Sequence, residues 1–321
     1  MIGASGFIGS RVVSALASTS WAIPVAGIRR SLGQLPLQVA TTPVDITDPA
    51  SVAVAITGVD SIVNCMSGPA AQSAAGAEVV FSAASRALNP PLVVHLSSMA
   101  VYGSAIGNIA EDASLLGDLG PYSTAKVQAE QSAGQHRRTV VLRPGCVYGP
   151  GSTQWSERVA RWLVEHRLGD IGASGDGFCN LVHVDDVVAA ILRSLQRQDV
   201  EGHAFNLSLP DPPTWNQYLV AYGLALGATP IGRIGERRLK FETKVLSPLL
   251  KVIEIVGSKR GFGRRWPAIP PSLLSLMKQE IRLDVAKAEH SLEMNWKPLD
   301  AGLRETARWF AECSGRSLPP K

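Results

Sequence analysis

Apolar positions in the first half of the chain alternate between helical and extended periods. Val12, Val13 and Leu16 share one face of a predicted helix that follows a glycine turn and ends near Ala17. Ile23–Ile28 and Leu37–Val44 read as strands, and 49–57 reads as a short helix with Pro49 at its start and Gly58 after its end. Ser61–Cys65 is the next buried strand. A helix over 76–88 stops before Asn89-Pro90-Pro91, and Leu92–Leu96 is a strand running into Ser97-Ser98. Behind a loop with Gly117, Gly120 and Pro121, a helix is predicted from Tyr122 to about Gln135, then a strand at Thr139–Leu142. This rhythm predicts an α/β fold, a doubly wound parallel sheet with helices on both faces.

Beyond Pro150 the rhythm changes. A helix at 155–166, a glycine-rich loop at 172–177, a strand Asn180–Val184 and a helix Asp185–Leu195 follow. Thr214-Trp-Asn-Gln217 has the spacing of a capping box, opening a helix with Leu219, Tyr222 and Leu226 on its inner face. Ser247-Pro248 precedes a further helix carrying Leu249, Leu250, Ile253 and Val256, closed by Gly257. The expected organisation is a nucleotide-type sheet domain over 1–150, to which 180–207 returns, and a smaller α/β domain over 151–321. A doubly wound sheet needs a central first strand of about five residues, yet only Met1 and Ile2 precede Gly3. Either translation begins upstream or that strand is cut short.

Composition narrows the class. The chain is 45% hydrophobic and 18% charged, which supports a sizeable core and excludes a disordered or fibrous protein. Cys65, Cys146, Cys179 and Cys313 show neither metal-type nor disulfide-type spacing, so no metal site is expected and a reducing cytoplasm fits. No secretory signal or membrane span is read. The net charge is +4, but residues 231–266 hold ten Lys/Arg against three Asp/Glu, so the basicity is local. Nucleic-acid binding is not expected, because no basic face interleaved with aromatics appears. In 231–266 the apolar stripe is flanked by Lys244, Lys251, Lys259, Arg260, Arg264 and Arg265, a pattern suited to peripheral contact with the inner membrane face, to a lid over a diphosphate, or to a plain solvated surface.

Gly3-Ala-Ser-Gly6-Phe-Ile-Gly9 places three glycines at the entrance to a helix. That spacing lets backbone approach a pyrophosphate, which sits on free N–H groups at the positive end of the helix; a plain tight turn has the same signature. Tyr122 and Lys126 are four apart on a predicted helix and lie on one face. A phenol with pKa near 10 is a poor acid–base catalyst at neutral pH, and lowering it by about three units takes roughly 4 kcal/mol. An ammonium about 4 Å away at an effective dielectric near 20 supplies about that much. Ser98, at the end of a buried strand, could hold a substrate oxygen against the phenol.

These residues resemble the extended short-chain dehydrogenase/reductases, the NAD-dependent epimerase/dehydratase family. The resemblance also rests on Asp45-Ile-Thr-Asp48, Leu96-Ser-Ser-Met-Ala-Val-Tyr-Gly103, Leu142-Arg-Pro-x-x-x-Tyr-Gly-Pro150, His183-Val-Asp-Asp186 and Asn295-Trp-Lys-Pro298. It implies a Rossmann-type fold, Tyr122 as acid/base, Lys126 on the nicotinamide ribose and Ser98 orienting the reacting oxygen. Gly3, Ser5, Gly6, Phe7, Ile8 and Gly9 would line the pyrophosphate. Asp45 and Ile46 would flank the adenine, with Met66 and Pro144 completing the cofactor site. Asp45 could equally cap a turn, and His183, Asp185 and Asp186 are explained at least as well by helix capping.

Three departures bear on specificity. Arg29-Arg30 stands where members that use NAD usually have an acidic residue, which favours NADP over NAD; two solvated loop arginines are the other reading. Met99-Ala100 replaces the Asp-Glu pair of the family's dehydratases, so water elimination is not expected. Cys179 stands where sugar-nucleotide epimerases often have an arginine. The expected activity is hydride transfer at a carbon of a nucleotide- or lipid-linked sugar, by a ketoreductase or an epimerase. An NADPH reductase of a non-sugar ketone or alcohol and a non-catalytic NADP-sensing protein are the alternatives. The expected partners are a sugar-derived small molecule and a second copy in a homodimer.

Overall fold

A computed structural model describes residues 1–29, 35, 36, 38–246 and 269–316. Arg30, the stripe Leu249–Val256 and its flanking Lys251, Lys259, Arg260, Arg264 and Arg265 lie outside the described residues, and the side chain of Lys244 is likewise not described. Chain packing divides the molecule into two compact units. The first comprises Met1–Gly145, Val184–Pro210 and Leu283–Trp296; the second comprises Cys146–His183, Asp211–Arg282 and Lys297–Lys321. Among the described residues no helix is long and apolar enough to cross a membrane.

In chain order the described strands are β1 (Val25–Ile28), β2 (Ala40–Pro43), β3 (Ser61–Asn64), β4 (Leu92–Leu96), β5 (Gly107–Ile109), β6 (Thr139–Pro144), β7 (Cys146–Tyr148), β8 (Leu181–His183), β9 (Ala204–Leu207) and β10 (Ile281–Leu283). The helices used below are α1 (Phe7–Ala17), α2 (Pro49–Ala55), α3 (Ala70–Arg86), α4 (Pro121–Ala133), α5 (Arg158–Val164), α6 (Val184–Gln196) and α7 (Trp215–Ala225).

The first unit is built on parallel strands in the order β3-β4-β6-β9, with β1 and β2 paired beside them. Ile2 joins the two groups, since it bridges in parallel to Gly27 of β1 and to Asn64 of β3. Its N–H donates to the Val63 carbonyl at 2.9 Å and its carbonyl accepts from Cys65 at 3.1 Å. On the other side the Met1 carbonyl accepts from the Gly27 N–H at 2.7 Å, so Met1 and Ile2 make strand-like bonds to β1 and β3.

Alternate strand residues face opposite ways, so the sheet has two cores. Val13 of α1 packs with Ala4, Ala26 and Val39. Against the other face, Ile62 and Val93 meet Val52 of α2, Val80, Phe81 and Ala84 of α3, and Ala129 and Ala133 of α4. Helix α3 begins at Ala70 rather than near 76 because Gly76 does not start it. Gly76 lies within the helix, where a Cβ would come within 2.7 Å of Ile46 Cδ1 and 2.9 Å of Met66 Cε, so the missing side chain admits a close approach. Strand β6 continues past Leu142 to Pro144, because Arg143 and Pro144 keep register with Asn206 and Leu207 of β9.

In the second unit β7 pairs in parallel with β8. Its core is aromatic, with Trp162, Trp215, Tyr218 and Tyr222 fully or almost fully buried. The predicted capping box opens α7: the Thr214 side chain accepts from the Gln217 N–H at 3.2 Å, and Gln217 Oε1 accepts from the Thr214 N–H at 2.7 Å. The predicted helix at 155–166 divides into a wide turn over Thr153–Glu157 and the regular α5. Cys179 is fully buried, its N–H bonded to the Pro213 carbonyl at 2.7 Å.

Candidate active site

The glycine turn opens α1 with almost no room to spare. Gly3 has φ +77°, a conformation that disfavours a side chain, and a Cβ there would stand 2.8 Å from the Cys65 carbonyl. At Gly9 a Cβ would overlap the Gly3 carbonyl oxygen, so α1 packs directly onto the turn. Gly6 is the cap residue and contributes no capping side chain. The first-turn N–H groups of an α-helix have no partner within the helix, and the Gly6 cap has no side chain to compete for them. Ser5 and Gly6 are exposed, with Phe7 and Ile8 partly so. This end of α1 therefore fits a pyrophosphate on its open side.

Around the turn, Asp45 and Ile46 follow β2, and Met66 follows β3; all three are partly buried. Ile46 and Met66 approach each other over Gly76. One oxygen of Asp45 accepts from the Thr47 N–H at 3.0 Å and from its hydroxyl at 2.7 Å, so the side chain does form a turn. Arg29 follows β1 directly and is exposed. Pro144 closes β6 and is buried.

Three hydrogen bonds tie α4 to the end of β4. Ser97 Oγ donates to Glu130 at 2.5 Å, Lys126 Nζ donates to the Leu96 carbonyl at 2.9 Å, and Ser123 Oγ donates to the Ala100 carbonyl at 2.6 Å. They flank Ser98, which caps the short 3-10 turn Met99–Tyr102 by accepting from the Ala100 N–H at 3.2 Å. Gly120, with φ 102°, and Pro121 at the first helical position start α4, so Tyr122 stands in its first turn, 52% exposed. The structure therefore brings Ser98, Tyr122 and Lys126 to one end of the sheet, beyond the C-terminal ends of its strands, where α/β proteins bind ligands. Lys126 lies under the Tyr122 ring, its ammonium 5.9 Å from the centroid.

Burial governs the charges here. It lowers the Lys126 pKa to about 8, against the opposing pull of Cys65 and Glu130. It pushes the Cys65 thiol up to about 12 and, together with the Lys126 charge, holds His95 down at about 3. At neutral pH Lys126 is thus a cation among neutral neighbours on β3 and β4.

Sequence reasoning missed the polar layer beneath this end of the sheet. Arg143 of β6 donates to both oxygens of Glu130 at 2.7–3.1 Å, to the Tyr102 hydroxyl at 2.8 Å and to the Glu111 carbonyl at 2.8 Å. Tyr102 donates on to Asn206 Oδ1 at 2.7 Å, and the Asn206 N–H donates to Glu111 at 2.8 Å. Glu130 and Arg143 are both buried. Removing one partner of such a pair costs roughly 3–5 kcal/mol, because the other charge stays behind unpaired. The sequence signals were the spacing of Glu130, eight residues after Tyr122 and four after Lys126 on the same helical face, and the places of Tyr102 and Arg143 in the motifs ending at Gly103 and Pro150.

Residues 1–208 match the NAD dependent epimerase/dehydratase family. The chain belongs to that family. Its fold is also that of solved epimerase structures. UDP-glucuronic acid 4-epimerase from Bacillus cereus, in complex with NAD, is 16% identical, with 97% of this chain and 98% of that one covered at a TM-score of 0.73. UDP-glucose 4-epimerase from Thermotoga maritima, with UDP-glucose, is 18% identical, with 98% of each chain covered at a TM-score of 0.73. No curated protein matches the sequence.

Proposed function

We propose that this protein catalyses nicotinamide-dependent epimerisation or ketone reduction at a carbon of a nucleotide- or lipid-linked sugar. The observation that carries the proposal is the fastening of α4 to the end of β4, which gathers Ser98, Tyr122 and Lys126 at one end of the sheet. When bound, the nicotinamide supplies a reversible acceptor for the hydride of a sugar carbon. Tyr122 takes the proton from the sugar hydroxyl, or returns it to the carbonyl. The Lys126 ammonium beneath the ring favours the phenolate, and Ser98 holds the same sugar oxygen by a hydrogen bond. With a Lys126 pKa of about 8, this help is nearly complete at pH 7 and fades as pH rises past 8.

Gly3, Ser5, Gly6, Phe7, Ile8 and Gly9 would hold the pyrophosphate, with Asp45, Ile46 and Met66 around the adenine and Pro144 near the nicotinamide. Arg29, exposed directly after β1, supports binding of a 2′-phosphate and so NADP over NAD. The nucleotide sugar is supported by the fold shared with the Bacillus cereus and Thermotoga maritima epimerases, the second solved with UDP-glucose. Met99 and Ala100 offer no acid or base for removing water, which favours epimerisation or reduction over dehydration.

Incubation with NAD or NADP and a panel of UDP-sugars, followed by proton NMR of the anomeric and ring signals, tests the reading. A new epimer or a reduced sugar is expected. Failure to bind either nicotinamide, with no sugar converted, would reject it.

A further inference from the structure

We propose that Glu130 is a positioning residue for the catalytic pair, tying the helix that carries Tyr122 and Lys126 to the strand ends that carry Ser98. The inference rests on the roles proposed above for those three residues. Glu130 reaches two strands at once. One oxygen accepts from Ser97, the residue before Ser98, and both oxygens are gripped by Arg143 of β6, the neighbour of β4. Arg143 is itself fixed by Tyr102, which ends the turn that Ser98 caps, and by the Glu111 carbonyl. A shift of α4 along the sheet would have to break this group of bonds together. Such buried and mutually satisfied networks define one geometry, the condition for holding a phenol and a serine against one substrate oxygen.

The same carboxylate has an electrostatic part. The titratable groups around Lys126 are Cys65 at the end of β3, His95 on β4, and Tyr122 and Glu130 on α4. Burial keeps Cys65 a thiol and His95 neutral at pH 7. Among these groups that leaves Glu130 as the anion supporting the Lys126 charge, although Arg143 beside it offsets part of its field. Glu130 thus fixes where the catalytic helix sits and helps to keep its lysine protonated.

Two variants test this. Glu130→Gln keeps the size and removes the charge; with carbon-13 labelled lysine, NMR titration of the cofactor-free chain should move the Lys126 midpoint down by about one pH unit or more. The alkaline limb of the kcat profile should move with it. Ser97→Ala removes a single hydrogen bond and should lower kcat about tenfold, with KM and nicotinamide affinity within twofold and Ser97→Thr restoring the rate. A Lys126 midpoint unmoved by Glu130→Gln overturns the proposal. Should Glu130→Gln not fold, amide exchange in Ser97→Ala decides: faster exchange confined to Ser98–Gly103 supports it, and unchanged exchange there overturns it. The titration and exchange readouts need no turnover, so a chain that converts no sugar would defeat the proposed activity while leaving this test intact.

Discussion

Acid should unfold this protein earlier than its surface charges alone would cause, and His95 is the reason. The ring is buried on β4, edge-on to Phe81 at 5.4 Å. Asn64 Oδ1 accepts from the Met66 N–H, so its amide NH2 faces His95 Nδ1 at 3.3 Å, which makes Nδ1 the acceptor and leaves the hydrogen on Nε2. Nε2 has no partner among the described residues. Burial first, and the Lys126 charge second, lower the folded pKa from 6.5 to about 3. Between those values the unfolded chain binds a proton that the folded one refuses. Stability is therefore complete above pH 6.5 and falls as pH drops through this window. At pH 4 the loss from this one group is about 3.5 kcal/mol, being 2.5 units at about 1.4 kcal/mol each. Urea unfolding followed by circular dichroism, at pH 8 and pH 4, on wild type and His95→Asn, measures it. The wild type should lose about 3.5 kcal/mol more between the two pH values than the variant. Parallel losses would show that His95 is already protonated in the fold, or that water reaches it, and would refute the reasoning.

Three further outcomes are expected. Tyr122→Phe removes only the hydroxyl, so turnover should fall by orders of magnitude while nicotinamide affinity, read by fluorescence titration, stays within a few-fold. Gly9→Ala forces a methyl against the Gly3 carbonyl; calorimetry should show a lower Tm, and the nicotinamide Kd should rise at least about tenfold as the turn opens. Arg29→Asp should narrow or invert a preference for NADP over NAD in isothermal titration, and equal wild-type affinities would reduce Arg29 to a solvated loop residue.

What the sequence revealed and what it hid follow from the range of the interactions. The glycine turn, the strands at Ser61 and Leu92, and the Thr214–Gln217 capping box are specified by neighbours within a few positions, and they appear where the periodicity predicts them. Tyr122 and Lys126 were legible because helical spacing alone puts them on one face. The network of Glu130, Arg143, Tyr102 and Asn206 was not, since its partners lie 13 to 104 positions apart; Tyr102 and Arg143 stood in recognisable motifs, but nothing local to either says that they meet. The first six residues of α3 were hidden too, and the glycine inside that helix is explained only by the distant approach of Met66 and Ile46. Helical spacing is enough to set an ammonium near the phenol, but burial has no sequence signature, and it makes Lys126 far easier to deprotonate than a free lysine.

The chain passes between its two units five times, at Gly145, His183, Pro210, Arg282 and Trp296. During synthesis the sheet unit therefore cannot complete itself as soon as β6 emerges. Its edge strand β9 arrives about sixty residues later, and Asn206 waits longer still, since its amide donates at 3.0 Å to the Asp284 carbonyl in the last returning segment. Until then the β6 edge is an unpaired template of the kind that nascent chains protect with chaperones. Completion of this end of the sheet waits on the segment that begins at Leu283. Early termination anywhere before that residue would thus yield no smaller working unit, only a chain whose buried Arg143 layer has lost part of its frame.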